Sequence, residues 1–367
     1  MNHDLKKIFA RFLADGEFES AVQVGNGHIH DTFRINTAGT GKDDYIMQRL
    51  NNNVFRNIPE LQDNIERVTS HIIRKLSEIP GSDLKRECLT PVYAANGKSW
   101  IVDEEGYYWR MYIYIRDHHS YEIVDSPAKA YEGGRAIGRF QAMLADLPGK
   151  PLFETIPHFH DVEKRLATFE NVVEADSVKR VQAALPEIGF INRRADEMKV
   201  ILRLGREGKI PLRITHNDTK FNNILLDTND RALCIIDLDT VMPGYVHYDF
   251  GDAIRTGANV AEEDEKDLSK VRMDTGLFEA FARGYLAEAG DTLNPVETEW
   301  LAFAPRLITY IMGLRFLTDY LDGDNYYKIH HEHHNLQRAR SQFRLVESME
   351  EQYPQMERII KNLALHH

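Results

Sequence analysis

The sequence predicts an α+β protein of two lobes: a small N-terminal lobe built on an antiparallel sheet, residues 1–115, and a larger, mainly helical C-terminal lobe, residues 116–367. Three observations carry this expectation. At 367 residues the chain exceeds the usual reach of a single hydrophobic core, so it should divide. Strand-like runs bounded by turn residues crowd its first third. Apolar residues at helical spacing dominate the remainder.

The elements follow in order. In Met1 to Asp15 the apolar residues Leu5, Ile8, Phe9, Phe12 and Leu13 alternate with Lys6, Lys7 and Arg11, which reads as an amphipathic helix and not a secretory signal. Val22 and Val24, then Thr32, Phe33 and Ile35, flank the turn-forming segment Gly25-Asn26-Gly27-His28. Tyr45-Ile46-Met47 is a further strand. Residues 60–78 place Leu61, Ile65, Val68, Ile72 and Leu76 on one helical stripe. Strands are expected again at Val92-Tyr93, Trp100-Ile101-Val102 and Tyr108 to Ile115. Beyond residue 125, one helical stripe carries Ile137, Phe140 and Leu144, and another Ala195, Met198, Ile201 and Leu202. Residues 210–240 form a compact β-rich insert. Trp300 to Leu321 reads as a strongly apolar helix, and a last helix closes the chain. The run Glu262-Glu263-Asp264-Glu265 reads as a solvated helix face.

Composition narrows the function. A net charge of −12 argues against nucleic acid as partner, since a phosphate backbone is held by a basic surface. A nucleotide site survives that argument, because a few local donors and a metal suffice. No stretch approaches the ~20 apolar residues of a bilayer span, so no membrane partner and a cytoplasmic location are expected. Cys88 and Cys234 form no metal-type pattern and read as reduced, packed thiols. His330, His331, His333 and His334 lack the spacing of a zinc site and read as surface histidines.

The chemistry concentrates in Ile214-Thr215-His216-Asn217-Asp218-Thr219-Lys220-Phe221-Asn222-Asn223-Ile224-Leu225-Leu226, followed by Cys234-Ile235-Ile236-Asp237-Leu238-Asp239. Two apolar runs bracket a polar loop and bring Asp218, Lys220, Asn223 and Asp237 to one end of a small hairpin. Phosphoryl transfer needs few parts: a carboxylate to orient and deprotonate the attacking hydroxyl, oxygen ligands for magnesium, and a cation for the moving phosphate. Asp218 suits the first role, Asn223 and Asp237 the second, Lys220 the third. His216, two residues before the base, reads as a loop brace, and Asp249 as a capping or loop-bracing residue.

Here the sequence resembles a family. His216-x-Asp218-x-Lys220-x-x-Asn223, then a strand ending in Ile236-Asp237, resembles the catalytic loop and metal-binding aspartate of the protein-kinase-like superfamily. Within it the chain is similar to the aminoglycoside phosphotransferase and choline kinase branch, and its wider wording to the N-acetylhexosamine 1-kinases. Gly27-His28-Ile29, Pro157-His158-Phe159-His160-Asp161, Asp249-Phe250-Gly251-Asp252 and Arg315-Phe316-Leu317-x-Asp319-Tyr320-Leu321 carry that wording. The resemblance implies a bilobal kinase-like fold using ATP and Mg2+, with Asp218 as base, Asn223 and Asp237 as magnesium ligands and Lys220 steadying the γ-phosphate. It implies a phosphate-covering turn at Gly25, Gly27 and His28, and an adenine-reaching backbone from Arg110 to Ile115, including Met111 and Ile113. Glu66 would be the helix glutamate that pairs with a strand cation. At the position where the superfamily usually has that lysine stands Gln48, with Arg49 beside it, so Arg49 or Lys220 must compensate.

The implied acceptor is a sugar: the anomeric hydroxyl of GlcNAc or GalNAc, giving the sugar 1-phosphate. Asp239 either touches metal or acceptor or bonds locally. Arg315 either contacts the sugar or pairs with Asp319 four residues on. Tyr326 either stacks on the sugar or packs. An aminoglycoside, choline or other amino alcohol is the alternative acceptor, and a silent nucleotide-binding regulator the alternative class. The sequence leaves the oligomeric state open.

Overall fold

The computed structural model describes residues 3–24 and 29–365. Two compact units emerge. The first comprises Met1–His118 with Asp146–Pro157 and Leu233–Met242; the second comprises His119–Ala145, His158–Ala232 and Pro243–His367.

The first unit contains α1 (Leu5–Phe9), β1 (Glu17–Gln23), β2 (Asp31–Ala38), β3 (Tyr45–Arg49), α2 (Ile58–Ser77), β4 (Trp100–Val102) and β5 (Tyr108–Ile113). The five strands form an antiparallel sheet in the order β1-β2-β3-β5-β4. Alternation fixes its faces. Ile35, Tyr45, Met47, Trp109 and Met111 point to a core closed by Ile8, Phe9 and Phe12 of the N-terminal helical segment. Gln48 and Arg110, which face each other across β3 and β5, take the opposite face. The α2 stripe is as spaced in the sequence: Leu61, Ile65, Val68, Ile72 and Leu76 are all buried. Asn57 caps it by accepting from the amide of Glu60, and Pro59 occupies the first turn, where its missing N–H costs nothing.

The remaining elements run β6 (His118–His119), α3 (Pro127–Leu144), α4 (Val162–Ala175), α5 (Leu185–Met198), α6 (Val200–Arg206), β7 (Arg213–Thr215), β8 (Ile224–Asp227), β9 (Ala232–Ile235), β10 (Met242–Gly244), α7 (Val246–Gly257), α8 (Thr275–Ala289), α9 (Pro295–Glu299), α10 (Ala304–Leu321) and α11 (His334–Ala364). In the second unit α10 lies at the centre of the core, with Leu307, Tyr310, Ile311, Leu314 and Leu317 all almost fully buried. Gly134 and Gly284 let α3 and α8 cross closely, because a Cβ at either would strike the backbone of the other helix. Among the described residues no single helix is long and apolar enough to cross a membrane.

Several expectations need correction. Val92-Tyr93 is not a strand: Pro91, which has no N–H to donate, leaves only an isolated bridge to Tyr112. The Ala195–Leu202 stripe spans two helices that break at Lys199. The Trp300–Leu321 helix starts at Ala304, with Pro305 in its first turn and a 3-10 turn at Trp300–Ala302 before it. The acidic run is a turn, not a helix face: Glu263 pairs with Arg255 and Asp264 with His334. His334 is therefore buried, while His330, His331 and His333 stay exposed.

Candidate active site

In the second unit β7 delivers the chain into the polar loop, and a buried carboxylate holds that loop in shape. Asp249, on α7 and fully buried, accepts from the backbone amides of His216 (2.9 Å) and Asn217 (2.7 Å) and from Gln141 Nε2 (2.7 Å). Thr219 Oγ1 donates to the Asp249 carbonyl at 2.6 Å. Burial raises the Asp249 carboxyl above its ordinary range, while His216 and these donors pull it back. Asn217 takes a left-handed conformation, φ 66°, and its side chain bonds back to Thr215, the local bonding that lets asparagine accept such a backbone. His216 is fully buried and its Nδ1 accepts from the amide of Asp218 at 3.3 Å, so it braces the loop.

That scaffold leaves Asp218 partly exposed with Lys220 Nζ at 3.2 Å. Asn223, at the end of the 3-10 turn Phe221–Asn223, donates its Nδ2 to the Asp218 carbonyl at 2.8 Å. The same nitrogen lies 3.4 Å from Asp218 Oδ2. Asp218, Lys220 and Asn223 are thus brought together. Burial pushes the Asp218 carboxyl up, but Lys220 first, then His216 and Arg255, hold it below the usual carboxylate value. Asp218 in turn is the main reason that Lys220 stays protonated, against the cost of burial. A base that is ionised at neutral pH and a fixed ammonium beside it are the result.

Two groups around this loop had no role assigned to them from the sequence, although His160 belongs to a motif that carries the resemblance. Arg255, buried, donates Nε to buried Asp252 (2.9 Å) and Nη1 to the more exposed Glu263 (2.6 Å), and these charges add to the field on Lys220. The Asp249-Phe250-Gly251-Asp252 motif was visible but its partner Arg255 was not. On the other side, His160 Nε2 donates to the carbonyl of Asn217 at 2.9 Å, the bond that puts the proton on that nitrogen. Burial foremost, with Arg315 and Arg165, drives His160 down to about 3 and keeps it neutral.

Next to His160 stands a cluster of arginines and rings. The Arg315 guanidinium lies 5.2 Å from the centre of the Phe159 ring, 5.9 Å from that of Tyr326 and 5.6 Å from that of Tyr327. Among the described residues no carboxylate pairs with it, and its hydrogen-bond partner is Met312 Sδ at 3.4 Å. Asp319 does not form the i,i+4 pair, because its oxygens accept from the amides of Tyr326 (2.8 Å) and Tyr327 (2.9 Å) and from Asn335. Arg165 bonds the Phe159 carbonyl, and burial first, then Arg315, bring its guanidinium down to about 10.

In the first unit the sequence-predicted residues separate. Gly25, Gly27 and His28 lie outside the described residues. Gln48 accepts from Arg110 Nε at 2.9 Å and donates to Thr32 Oγ1 at 3.0 Å. Arg49 points to the other face, paired with Asp31 and stacked over Tyr107. Glu66 accepts from the amide of Ser99 at 3.4 Å, so neither it nor Arg49 joins Gln48. Met111 is a core side chain whose carbonyl accepts from Val92, and the Ile113 amide donates to Thr90; these groups serve the sheet. Asp237, two residues past the end of β9, takes a left-handed conformation, φ 62°, and caps the 3-10 turn Leu238–Thr240. Asp239 in that turn is bound by Arg110 through both oxygens and by His30 Nε2 at 2.7 Å. Cys88 and Cys234 are buried free thiols, and burial pushes Cys88 up to about 12.

The arrangement around Asp218 sets an ionised carboxylate beside an ammonium with an amide side chain close by, groups whose chemistry is compatible with phosphoryl transfer to a hydroxyl. A model of the phosphotransferase enzyme family matches residues 20–300. Among solved structures, an aminoglycoside phosphotransferase from Alicyclobacillus acidocaldarius superposes with a TM-score of 0.60 at 10% identity, covering 98% of this chain and 96% of its own. A choline kinase from Cryptosporidium parvum gives 0.54 at 14% identity, covering 94% and 90%. The spectinomycin phosphotransferase bound to ADP and spectinomycin gives 0.52 at 13% identity, covering 98% and 97%. At these identities the likeness is one of fold: an antiparallel-sheet unit followed by a helical one, the protein-kinase-like architecture.

Proposed function

The chain belongs to the phosphotransferase enzyme family, and on that premise we propose that it transfers the γ-phosphate of ATP to the anomeric hydroxyl of an N-acetylhexosamine, GlcNAc or GalNAc. Asp218 orients the acceptor hydroxyl and takes its proton as the oxygen–phosphorus bond forms. In a loose transition state the proton leaves late, so a carboxylate of low pKa suffices. Lys220, fixed 3.2 Å from Asp218, balances the charge of the moving phosphoryl group. Magnesium, when bound, neutralises the phosphate oxygens. Asn223 and Asp237 would hold it and would supply the hard oxygen ligands it prefers. Asn223 fits this part because its nitrogen is spent on Asp218 while, among the described residues, nothing donates to its Oδ1.

The acceptor reading rests on Arg315. A half-buried guanidinium among three rings, with no carboxylate partner among the described residues and a second arginine already lowered by its presence, repels a cationic acceptor. An uncharged sugar, whose hydroxyl and carbonyl oxygens accept hydrogen bonds and whose apolar ring face packs on Phe159 or Tyr326, satisfies both arginine and rings. Asp239, bound on both oxygens, works through its neighbours and not by holding the acceptor.

The test is magnesium-dependent ATP turnover with N-acetylhexosamines, neutral hexoses, aminoglycosides, choline and ethanolamine, with the phosphorylated position read by phosphorus NMR. Turnover confined to N-acetylhexosamines with phosphate at the anomeric carbon supports the proposal. Preference for a cationic acceptor overturns it, and nucleotide binding without turnover on any acceptor favours a regulator.

A further inference from the structure

The first unit buries a charge network that the reaction scheme above leaves unused. Arg110 is 2% exposed and Asp239 3%. Arg110 gives both terminal nitrogens to the Asp239 carboxylate, Nη2 to Oδ2 at 2.8 Å, and its Nε to Gln48 Oε1 at 2.9 Å. His30 Nδ1 accepts from the amide of Asn51 at 3.0 Å, so its proton sits on Nε2 and is donated to Asp239 at 2.7 Å. Gln48 is held in turn by its bond to Thr32.

Burying an ion pair is costly, and a hydrophobic pair of the same shape is often no worse for stability. One attested use of such a pair is to fix a single geometry. Here the fixed object is the turn Leu238–Thr240, which begins at Asp237 and carries Asp239 as its second residue. The left-handed backbone at Asp237, φ 62°, is uncommon for a non-glycine residue, and a hold on the turn that follows keeps it in place. The network also explains the glutamine. A lysine at position 48 has no acceptor for the Arg110 Nε proton and would set a second cation against a buried guanidinium; glutamine's oxygen faces it instead.

We propose that Arg110, His30 and Gln48 are positioning residues that clamp Asp239 and so preset the carboxylate of Asp237 for magnesium. The proposal rests on the reading of Asp237 as a metal ligand. Arg110 thereby supplies order where Gln48 supplies no charge: the cation of this sheet sits on β5 and is tied to the metal-binding turn.

The experiment measures ATP binding to the full chain by calorimetry over a magnesium series and in EDTA, with melting temperature alongside, for wild type, His30→Ala, His30→Gln, Arg110→Lys, the single changes Arg110→Gln and Asp239→Asn, and their charge-neutral double variant Arg110→Gln/Asp239→Asn. His30→Ala and Arg110→Lys should raise half-saturating magnesium ~10-fold, the usual result of removing a group that braces a metal ligand, with ATP affinity in EDTA unchanged. His30→Gln, which can still donate to Asp239, should restore most of the loss, and the double variant should lose less than the two single changes combined. Folded His30→Ala and Arg110→Lys proteins with wild-type magnesium requirement overturn the clamp. Wild-type binding indifferent to magnesium instead removes the reading of Asp237, and the clamp with it.

Discussion

Arg110 in the first unit and Arg315 in the second both lie against aromatic rings, Arg110 5.2 Å from the centre of Tyr112 and Arg315 at similar range from three rings. Their electrostatics are opposite. Arg110 has an acceptor on every nitrogen and is held charged by Asp239 against the cost of burial. Arg315 is half-buried and meets a sulfur, rings and a second arginine. A fold that builds a complete ion pair at one arginine has the means to do so at the other. Where the counterion is part of the protein, the arginine serves the protein's geometry. Where it is left out, as at Arg315, our proposal has the bound acceptor complete the interaction.

The comparison can be broken by removing charges on each side of it. The largest effect is expected at Asp218, the base of the proposed reaction, with Lys220 at its side. Asp218→Asn should lower kcat by ~10³-fold or more with nucleotide affinity nearly intact, as for loss of a general base and the hydroxyl-orienting group. Single-turnover kinetics with calorimetric ATP binding decide it, and substantial turnover in the variant removes the assignment. Asp239→Ala comes next and is a stability effect. It strands Arg110 in the interior without a counterion, which costs ~3–5 kcal/mol. Chemical denaturation should show that loss, and Arg110→Met added to Asp239→Ala should recover a good part of it; if the second change adds to the first, the two charges are not a pair.

The sequence displayed one side of this comparison better than the other, for a physical reason. The α2 stripe, the Asp218–Lys220–Asn223 loop and the bracing by His216 rest on neighbours within a few residues, and spacing shows them. Arg110 and Asp239 are 129 positions apart, and an arginine within the apolar run Tyr108–Ile113 was the only local sign that a charge entered the sheet. The acidic run at Glu262 read as a solvated face because its partners, Arg255 and His334, arrive from other elements. Arg315 and Asp319 have helical spacing for an ion pair, yet the tight turn before Tyr326 offers two backbone amides to the carboxylate, and those win. Local pattern proposes partners; only tertiary structure chooses between them.

The choice made at Arg315 gives the next prediction. Arg315→Ala should raise the KM for the acceptor ~10- to 100-fold, the range for a hydrogen bond from a charged donor, and leave the KM for ATP within a factor of about two. Its melting temperature should hold or rise, since a like-charged neighbour of Arg165 is gone. Equal changes in both KM values would make Arg315 a structural residue like Arg110 and erase the contrast.

The smallest effect concerns the neutral histidine between the two arginines and the catalytic loop. His160 falls from the usual 6.5 to about 3 in the folded chain, chiefly through burial. The unfolded chain therefore binds a proton that the folded one refuses as pH falls from 6.5 towards 3. Stability consequently declines on acidification, and this group's share approaches ~1.4 kcal/mol per pH unit once the pH is well below 6.5. His247, buried and brought down to about 4, adds a slope of the same sign. His160→Gln keeps a donor for the Asn217 carbonyl but cannot titrate. Denaturation curves from pH 7 to pH 4.5 should show a shallower decline for this variant, with the gap between the two proteins narrowing as pH drops. Parallel curves would mean that His160 is protonated in the folded chain. It would then stand as a third cation beside Arg165 and Arg315, a concentration of charge that suits an anionic acceptor better than a neutral sugar.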